Sequence, residues 1–251
     1  MDRENLINYT LYLADNALII GHRNSEWCGH GPVLEQDIAI SNIALDCIGQ
    51  ARNFYQYAAQ LSGNGATEDS LAYLRNAEGF KNCLLVEQPN VDWAHTILRQ
   101  FFFSAWQYFF YSDLQKSKDE QLAAIAEKAL KEVTYHVRWS SEWVIRLGDG
   151  TGESKQRMLK AIGSLWMFTE ELFIAADFEL TAGGDGYGVE LSSIKNDWLR
   201  KLSTVFTEAT LEMPANIKMR SGGKDGKHTN HLEEILNEMQ LLQRTYPDAE
   251  W

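Results

Sequence analysis

Apolar residues recur every three to four positions along most of this chain, which is the pattern of amphipathic α-helices. No run of period-two alternation predicts a strand. In the first periodic segment, Leu6, Tyr9, Leu13 and Ile20 fall on one face. The pattern and its turn signals predict helices at about Glu4–His22, Val33–Leu61, Glu68–Ala77, Val91–Gln115, Asp119–Leu147, Glu153–Leu180, Glu190–Leu211 and Thr229–Tyr246.

The order of the long helices predicts the fold class. Two long helices, a long connection and two more long helices form the topology of a ferritin-like four-helix bundle with one crossover. We therefore predict an all-α, ferritin-like fold in a single domain over residues 1–251. Its core bundle would span about 4–147, and further helices at about 153–246 would pack around it.

Composition and charge narrow the functional classes. The chain is 45% hydrophobic with 4 prolines, so it can bury a large core. A net charge of -12 disfavours nucleic acid or an anionic membrane as a partner. No apolar run reaches membrane-spanning length. The 3 cysteines form no Cys-x-x-Cys, so we expect reduced thiols in a cytoplasmic protein.

A metal-binding motif that usually accompanies this topology is incomplete here. Di-iron bundles use a glutamate on each of two helices and a Glu-x-x-His on each of the other two. The chain contains no Glu-x-x-His, and the corresponding positions are Asp46-x-x-Gly49 and Glu132-x-x-Tyr135. His136 lies four residues after Glu132 instead of three, so a core ion pair of Glu132 with His136 or Lys128 is the favoured interpretation.

The second long helix carries a polar stripe among apolar residues. Asn42, Asp46, Gln50 and Asn53 are spaced four, four and three apart, which places them on one face. Since other faces of this helix are also apolar, we predict that the helix and its stripe are buried. The stripe is either a metal or substrate site or a satisfied structural network, and the lack of a histidine favours the network.

Two carboxylate-x-x-His pairs lie elsewhere in the chain. Asp92 and His95 begin the third long helix, where an aspartate is also a natural N-terminal cap. Asp225 and His228 lie in a loop rich in glycine and lysine. Whether Asp92 and His95 bind a metal is left open by the sequence.

Several blocks of sequence resemble one family, the structural subunits of phenylacetate-CoA oxygenases. The resemblance runs from the first loop to the last helix and covers nearly the whole chain. The blocks are Glu26–His30, Asn42–Asp46 with Gly49–Asn53, Leu84–Asn90, Arg99-Gln100, Lys131-Glu132 with Tyr135-His136, and Gly222–Lys224 leading to His228-Thr229 and His231-Leu232.

The resemblance implies a ferritin-like subunit without a working metal site or a cofactor of its own. Its implied partners are a homologous catalytic subunit that holds the di-iron centre, a reductase and accessory subunits. That complex would epoxidise the ring of phenylacetyl-CoA. Asp46, Gly49, Glu132, Tyr135 and His136 would then be vestigial ligand positions.

Three functional hypotheses follow, in descending order of preference. The first is a non-catalytic subunit of the epoxidase. The second is a di-iron oxidase with atypical ligands such as Asp46, Glu132 and His136, and the third is an unrelated helical interaction module. The sequence leaves open the subunit stoichiometry and the face that binds the catalytic subunit. It also leaves open whether the loop Gly222–Lys227 contacts CoA through Lys224 or Lys227.

Overall fold

The computed structural model describes residues 2–215, 217–246 and 249, and these residues form α-helices and no strand. The all-α class predicted from the sequence is confirmed, and two long helical hairpins joined by a long connection agree with a ferritin-like bundle. The helices are α1 (Arg3–Ser25), α2 (Leu34–Ser62), α3 (Glu68–Tyr73), α4 (Trp93–Leu114), α5 (Glu120–Gly148), α6 (Gly152–Leu165), α7 (Asp177–Asp185), α8 (Leu191–Glu208), α9 (Asn230–Met239) and α10 (Leu241–Thr245).

The chain divides into two compact units. The first contains residues 1–87 and 222–251, and the second contains residues 88–221. In the first unit α1 packs along α2, and in the second α4 packs against α5, α6 and α8. The helices of the predicted core bundle thus fall in both units, and that all of 1–251 forms a single domain stays a prediction.

Polar side chains at the helix starts explain several of the boundaries. Asp2 accepts a hydrogen bond from the Glu4 backbone at 3.1 Å, and Asp119 accepts one from Leu122 at 2.8 Å. Thr151 caps α6 through the Ser154 backbone at 3.1 Å. Each bond satisfies an amide that the first helical turn leaves open, which stabilises a helix by about 1 kcal/mol.

The core of the second unit is dense in aromatic side chains. Phe101, Phe102 and Phe103 on α4 are all fully buried. Trp106 and Phe110 continue this run, with ring centroids 4.4 Å apart. Burying a large apolar side chain stabilises the fold by roughly 1.5–3 kcal/mol, so α4 is the element around which this unit is organised.

The predicted helix Glu153–Leu180 is wrong as a single element. α6 ends at Leu165, 3₁₀ turns occupy Trp166–Phe168 and Glu170–Phe173, and α7 begins at Asp177. The break places the Trp166 and Phe173 rings 6.0 and 5.2 Å from the Trp198 ring. Packing against α8 therefore overrides the helical periodicity of this segment.

Two other predicted helices differ from the structure at smaller scale. The helix expected at Glu68–Ala77 ends at Tyr73, and a 3₁₀ turn follows at Ala77–Gly79. The last helix is interrupted at Gln240, whose side-chain amide donates to the carbonyls of Ala72 and Arg75 at 3.2 and 3.0 Å. Within the part of the chain that the structure describes, no helix is both long and apolar enough to cross a membrane.

Candidate functional site

The polar stripe of α2 is only partly buried, so the predicted burial is wrong for most of it. Gln50 is buried, Asp46 and Asn53 are half-buried, and Asn42 is exposed. The reason is that α2 packs one side against α1 and leaves Leu34, Ile38 and Leu45 exposed on another, and Asn42 follows Ile38 by one turn. Although α2 carries apolar residues on several sides, the other described helices of this chain do not cover all of them.

Gly49 holds the position where the di-iron motif has its histidine on this helix. It is half-buried and has no side chain, and a Cβ atom added to it would meet nothing within 4 Å. One turn earlier, the Asp46 carboxylate is the sole potential ligand of this Asp-x-x-Gly pair. Half of the motif is therefore missing because the residue cannot supply a donor atom.

On α5, the two aromatic residues that follow Glu132 point in different directions. Tyr135 is 38% exposed, and the Arg138 guanidinium lies 5.8 Å from its ring centroid. His136 is fully buried, whereas Glu132 is half-buried. Because one residue turns a helix by about 100°, a shift from the third to the fourth position moves the imidazole to another face. Tyr135 and His136 therefore lie on different faces of α5, and the vestigial ligand positions and the ion pair of Glu132 stay predictions.

Asp92 and His95 form a helix cap. The Asp92 carboxylate accepts hydrogen bonds from the His95 backbone at 3.0 Å and from its Nδ1 at 2.7 Å. Arg157 lies 3.9 Å from the other carboxylate oxygen. The capping interpretation is confirmed, and metal binding by this pair stays untested.

These donor sets do not fit the two-metal site of a di-iron bundle. Gly49 contributes no ligand atom, and Tyr135 is partly exposed and replaces the second histidine. Across residues 2–215 and 217–246, no three His, Cys, Asp or Glu side chains are grouped as metal ligands would be. The chemistry of these residues supports packing and hydrogen bonding, and we derive no catalytic step from them.

One buried charged site of the first unit is centred on Asp15, in the middle of α1. This fully buried carboxylate accepts hydrogen bonds from the Tyr55 hydroxyl at 2.6 Å and the Lys81 backbone at 2.8 Å. It also forms an ion pair with Arg75, whose guanidinium lies 4.2 Å from the Phe80 ring centroid. Several donors therefore compensate the buried charge, as a low-dielectric interior requires.

This environment shifts the pKa values of the partners of Asp15. Burial and the neighbouring Asp15 charge raise the pKa of Tyr55 well above its usual range. Burial is the largest single influence on Arg75 and alone would lower its pKa, but Asp15 and Tyr55 together raise that pKa above its usual value. Tyr55 is therefore a neutral donor and Arg75 a permanent cation, so the cluster is a fixed structural charge pair.

A second buried carboxylate, Glu87, joins the connection to the C-terminal segment. It accepts hydrogen bonds from Asn82 at 3.0 Å and from the backbone and hydroxyl of Thr229, both at 2.7 Å. His228 Nδ1 lies 2.8 Å from the same carboxylate, while its Nε2 lies 3.0 Å from the Phe80 carbonyl. Both partners of the ring accept hydrogen bonds, so both ring nitrogens donate and His228 is an imidazolium.

The pKa of His228 agrees with that protonation state. Burial alone would lower it, but the hydrogen bond and the charge of Glu87 raise it above its usual value. The contacts of Glu87 with His228 and Thr229 form a junction between the connection and the C-terminal segment. Arg23 adds to this junction by donating to the carbonyls of Glu87 and His231 at 3.0 and 3.2 Å. The His228 side chain is therefore buried in a hydrogen-bonded junction, although it follows a loop rich in glycine and lysine.

The two lysines proposed as CoA contacts differ in their environments. Lys224 is buried, and its Nζ lies 5.0 Å from the Tyr12 ring centroid, whereas Lys227 is exposed. The neighbouring Gly223 lies so close to the connection that a Cβ atom would be 2.3 Å from the Asn82 carbonyl. The burial of Lys224 leaves Lys227 as the lysine that is open to solvent. Contact of either lysine with CoA stays a prediction.

The Asp15 and Glu87 clusters were not predicted from the sequence, although each has a detectable signal. Asp15 interrupts an apolar run between Leu13 and Leu18, and a charge at such a position must find partners inside the fold. Glu87 lies in the block Leu84–Asn90 that carried part of the resemblance. Neither signal identifies the partners, because Arg75 and His228 are 60 and 141 residues away.

Comparisons with known proteins match the whole chain. The model of the phenylacetic acid catabolic protein family matches residues 1–251. A curated relative from Escherichia coli (strain K12), one of the subunits of 1,2-phenylacetyl-CoA epoxidase, is 48% identical over 246 residues, which cover 98% of this chain and 99% of the relative. The resemblance inferred from the blocks of sequence is confirmed.

Proposed function

This chain belongs to the phenylacetic acid catabolic protein family, and from that membership we propose that it is a non-catalytic subunit of a phenylacetyl-CoA epoxidase complex. The substrate class comes from the relative whose name makes it a subunit of such an enzyme. The complex would use oxygen and external electrons to epoxidise the aromatic ring of phenylacetyl-CoA in aerobic phenylacetate degradation.

The non-catalytic role rests on the residues at the ligand positions of a di-iron bundle. Gly49 has no side chain and Tyr135 is 38% exposed, so the two positions that carry the histidines of the di-iron motif hold no histidine here. The buried charges in the first unit are already compensated by fixed partners such as Arg75 and His228. We infer that this chain holds no cofactor and stabilises a homologous subunit that holds the di-iron centre.

The proposed partners are that catalytic subunit together with a reductase and accessory subunits. We place the assembly in the cytoplasm, with no nucleic acid and no membrane as a partner. This placement is supported by the net charge of -12 and by Cys28, Cys47 and Cys83, none of which is in a disulfide.

Iron content tests the proposal. The chain is purified alone, loaded anaerobically with ferrous iron and desalted, and the iron per chain is measured. The catalytic subunit of the epoxidase is treated identically as the positive control. We expect far less than one iron per chain here and about two in the control, as a di-iron bundle holds.

Two irons per chain in this protein would overturn the non-catalytic role. Asp46, Glu132 and His136 would then become the first ligands to substitute. In that outcome the protein would still belong to the family, but the chemistry would lie in this chain.

A further inference from the structure

A groove on the second unit runs between α5 and α8, with α4 beneath it. The two flanking helices run in the same direction: Thr210, just after α8, donates to the carbonyl of Gly148 at the end of α5 at 3.4 Å. At the other end, Ser193 near the start of α8 lies 3.4 Å from Asp113, close to the end of α4. The groove has a volume of about 480 Å³.

The floor of the groove is apolar and partly open to solvent. Tyr108 and Phe109 of α4 are half-buried there, with ring centroids 5.3 Å apart in an edge-to-face arrangement. Val137, Ile145 and Val205 complete the floor. Half-exposed aromatic rings beside aliphatic side chains are typical of the centre of a protein interface.

Charged side chains line the rim in a fixed order. On α5 the cation Arg138 precedes Glu142 by one turn, and on α8 the cation Lys201 precedes Glu208 by two turns. Because the helices run in the same direction, the groove has a cationic end and an acidic end. Within the described part of the chain, none of these four side chains forms an ion pair within 4.0 Å.

Lys201 is held in an environment that disfavours its own charge. Burial lowers its pKa, and the Glu208 carboxylate only partly opposes that effect. A carboxylate brought against Lys201 would restore the favourable environment of the ammonium group. Acidic side chains of a partner would therefore be bound most favourably at the cationic end of the groove.

We propose that this groove binds an amphipathic helix of the homologous catalytic subunit, with acidic side chains beside Arg138 and Lys201 and basic side chains toward Glu208. The proposal rests on the proposed function, since it takes the partner from the same complex. The groove extends from Thr134 to Ile145, which is three turns or about 16 Å of helix. A stripe of apolar residues spaced three and four apart on the partner helix matches a floor of this length.

An open rim favours a helix over a small molecule. Arg138, Glu142, Thr204 and Glu208 are all exposed along the groove. Sites for small ligands enclose roughly 70–90% of the ligand surface, whereas a docked helix buries only one face. The order of the rim charges then fixes the direction in which that helix lies.

Binding measurements with matched variants test the groove. Tagged chain is titrated with purified catalytic subunit of the epoxidase, and the dissociation constant is measured. Arg138→Glu and Phe109→Ser alter the groove. Lys131→Glu, exposed on the same helix, and Leu180→Ser, 62% exposed on α7, are the matched controls. We expect at least tenfold weaker binding for each groove variant and less than a twofold change for each control, with thermal unfolding confirming that all four fold.

Photo-crosslinking identifies the occupant independently of these variants. A photoreactive amino acid at Thr204, exposed in the groove, should crosslink to a helical peptide of the catalytic subunit in the assembled complex. A crosslink to a second copy of this chain, or wild-type affinity in both groove variants, would overturn the groove proposal and leave the proposed function standing. Failure of the wild-type chain to bind the catalytic subunit would instead overturn the proposed function.

Discussion

Asp15 has the largest energetic role that we assign to any single side chain in the first unit. We expect Asp15→Asn to reduce the free energy of unfolding by about 3–5 kcal/mol, because it leaves Arg75 mostly buried without its counter-charge. Chemical denaturation followed by circular dichroism measures this change. Glu127→Gln is the control, because its pair with Lys131 is exposed and is worth about 0.5 kcal/mol or less. Equal effects of the two substitutions would contradict the role of Asp15.

His228 gives the stability a dependence on pH with a definite sign. Its pKa is raised in the folded protein by Glu87, so the charged ring stabilises the fold fully below its unfolded pKa of about 6.5. That contribution is lost as the pH rises through the raised folded pKa. We expect the difference in unfolding free energy between wild type and His228→Gln to shrink from pH 6 to alkaline pH, as measured by denaturation at each pH. A difference that grows with pH would show that the ring is neutral in the fold.

At the scale of elements, two glycines with opposite surroundings should respond oppositely to alanine. Gly49 lies within α2 with open space around it, so Gly49→Ala should stabilise the isolated chain by about 0.5–1 kcal/mol. At Gly223 a Cβ atom would collide with the Asn82 carbonyl, so Gly223→Ala should destabilise it by roughly 1–3 kcal/mol. Thermal and chemical denaturation of both variants measure the two changes in unfolding free energy. Destabilisation by both would mean that Gly49 has a close neighbour.

The elements that the sequence predicted well are those whose signals are local. Asp92 and Asp119 precede long periodic segments, and each caps the helix that follows. The break after Leu165 was not predicted, since no proline marks it and Gly163, two residues earlier, lies within α6 without ending it; the cause is packing of Trp166 on Trp198. The exposure of Leu45 was missed for a related reason. Periodicity identifies an apolar face, but only the tertiary arrangement shows whether another element covers it.

For the candidate-site residues too, features set by residue type were predictable from the sequence, and features set by tertiary packing were not. The missing donor at Gly49 was visible in the sequence because it depends on residue type alone. The directions of Tyr135 and His136 depend on how α5 is rotated against its neighbours, which the spacing did not fix. The burial of Lys224 was not predicted because a loop rich in glycine and lysine usually lies in solvent, whereas here the Lys224 side chain packs beside Tyr12.

At the scale of the molecule, the first unit is assembled from two distant parts of the chain. Residues 222–246 return to it through contacts that join Thr229 to Glu87 and His231 to Arg23. Both carboxylate oxygens of Glu87 accept hydrogen bonds. Glu87→Gln replaces one oxygen with an amide NH₂ group, which would face at least one of these donors. The substitution should therefore weaken the junction without changing its volume.

Native-state hydrogen exchange followed by mass spectrometry tests whether this junction unites the unit. If the return segment (residues 222–246) and α1 open together, Glu87→Gln should accelerate exchange in both Ala14–Ile20 and Leu232–Leu236. Both regions are largely buried in the fold. Glu234→Gln is the control, because that carboxylate is 65% exposed in its contact with His231 and should leave both regions unchanged. Acceleration confined to the return segment would show that it detaches alone, so that α1 and α2 keep their structure without it. Acceleration of both would mean that the contacts of Glu87 hold two segments of the chain in one cooperative unit.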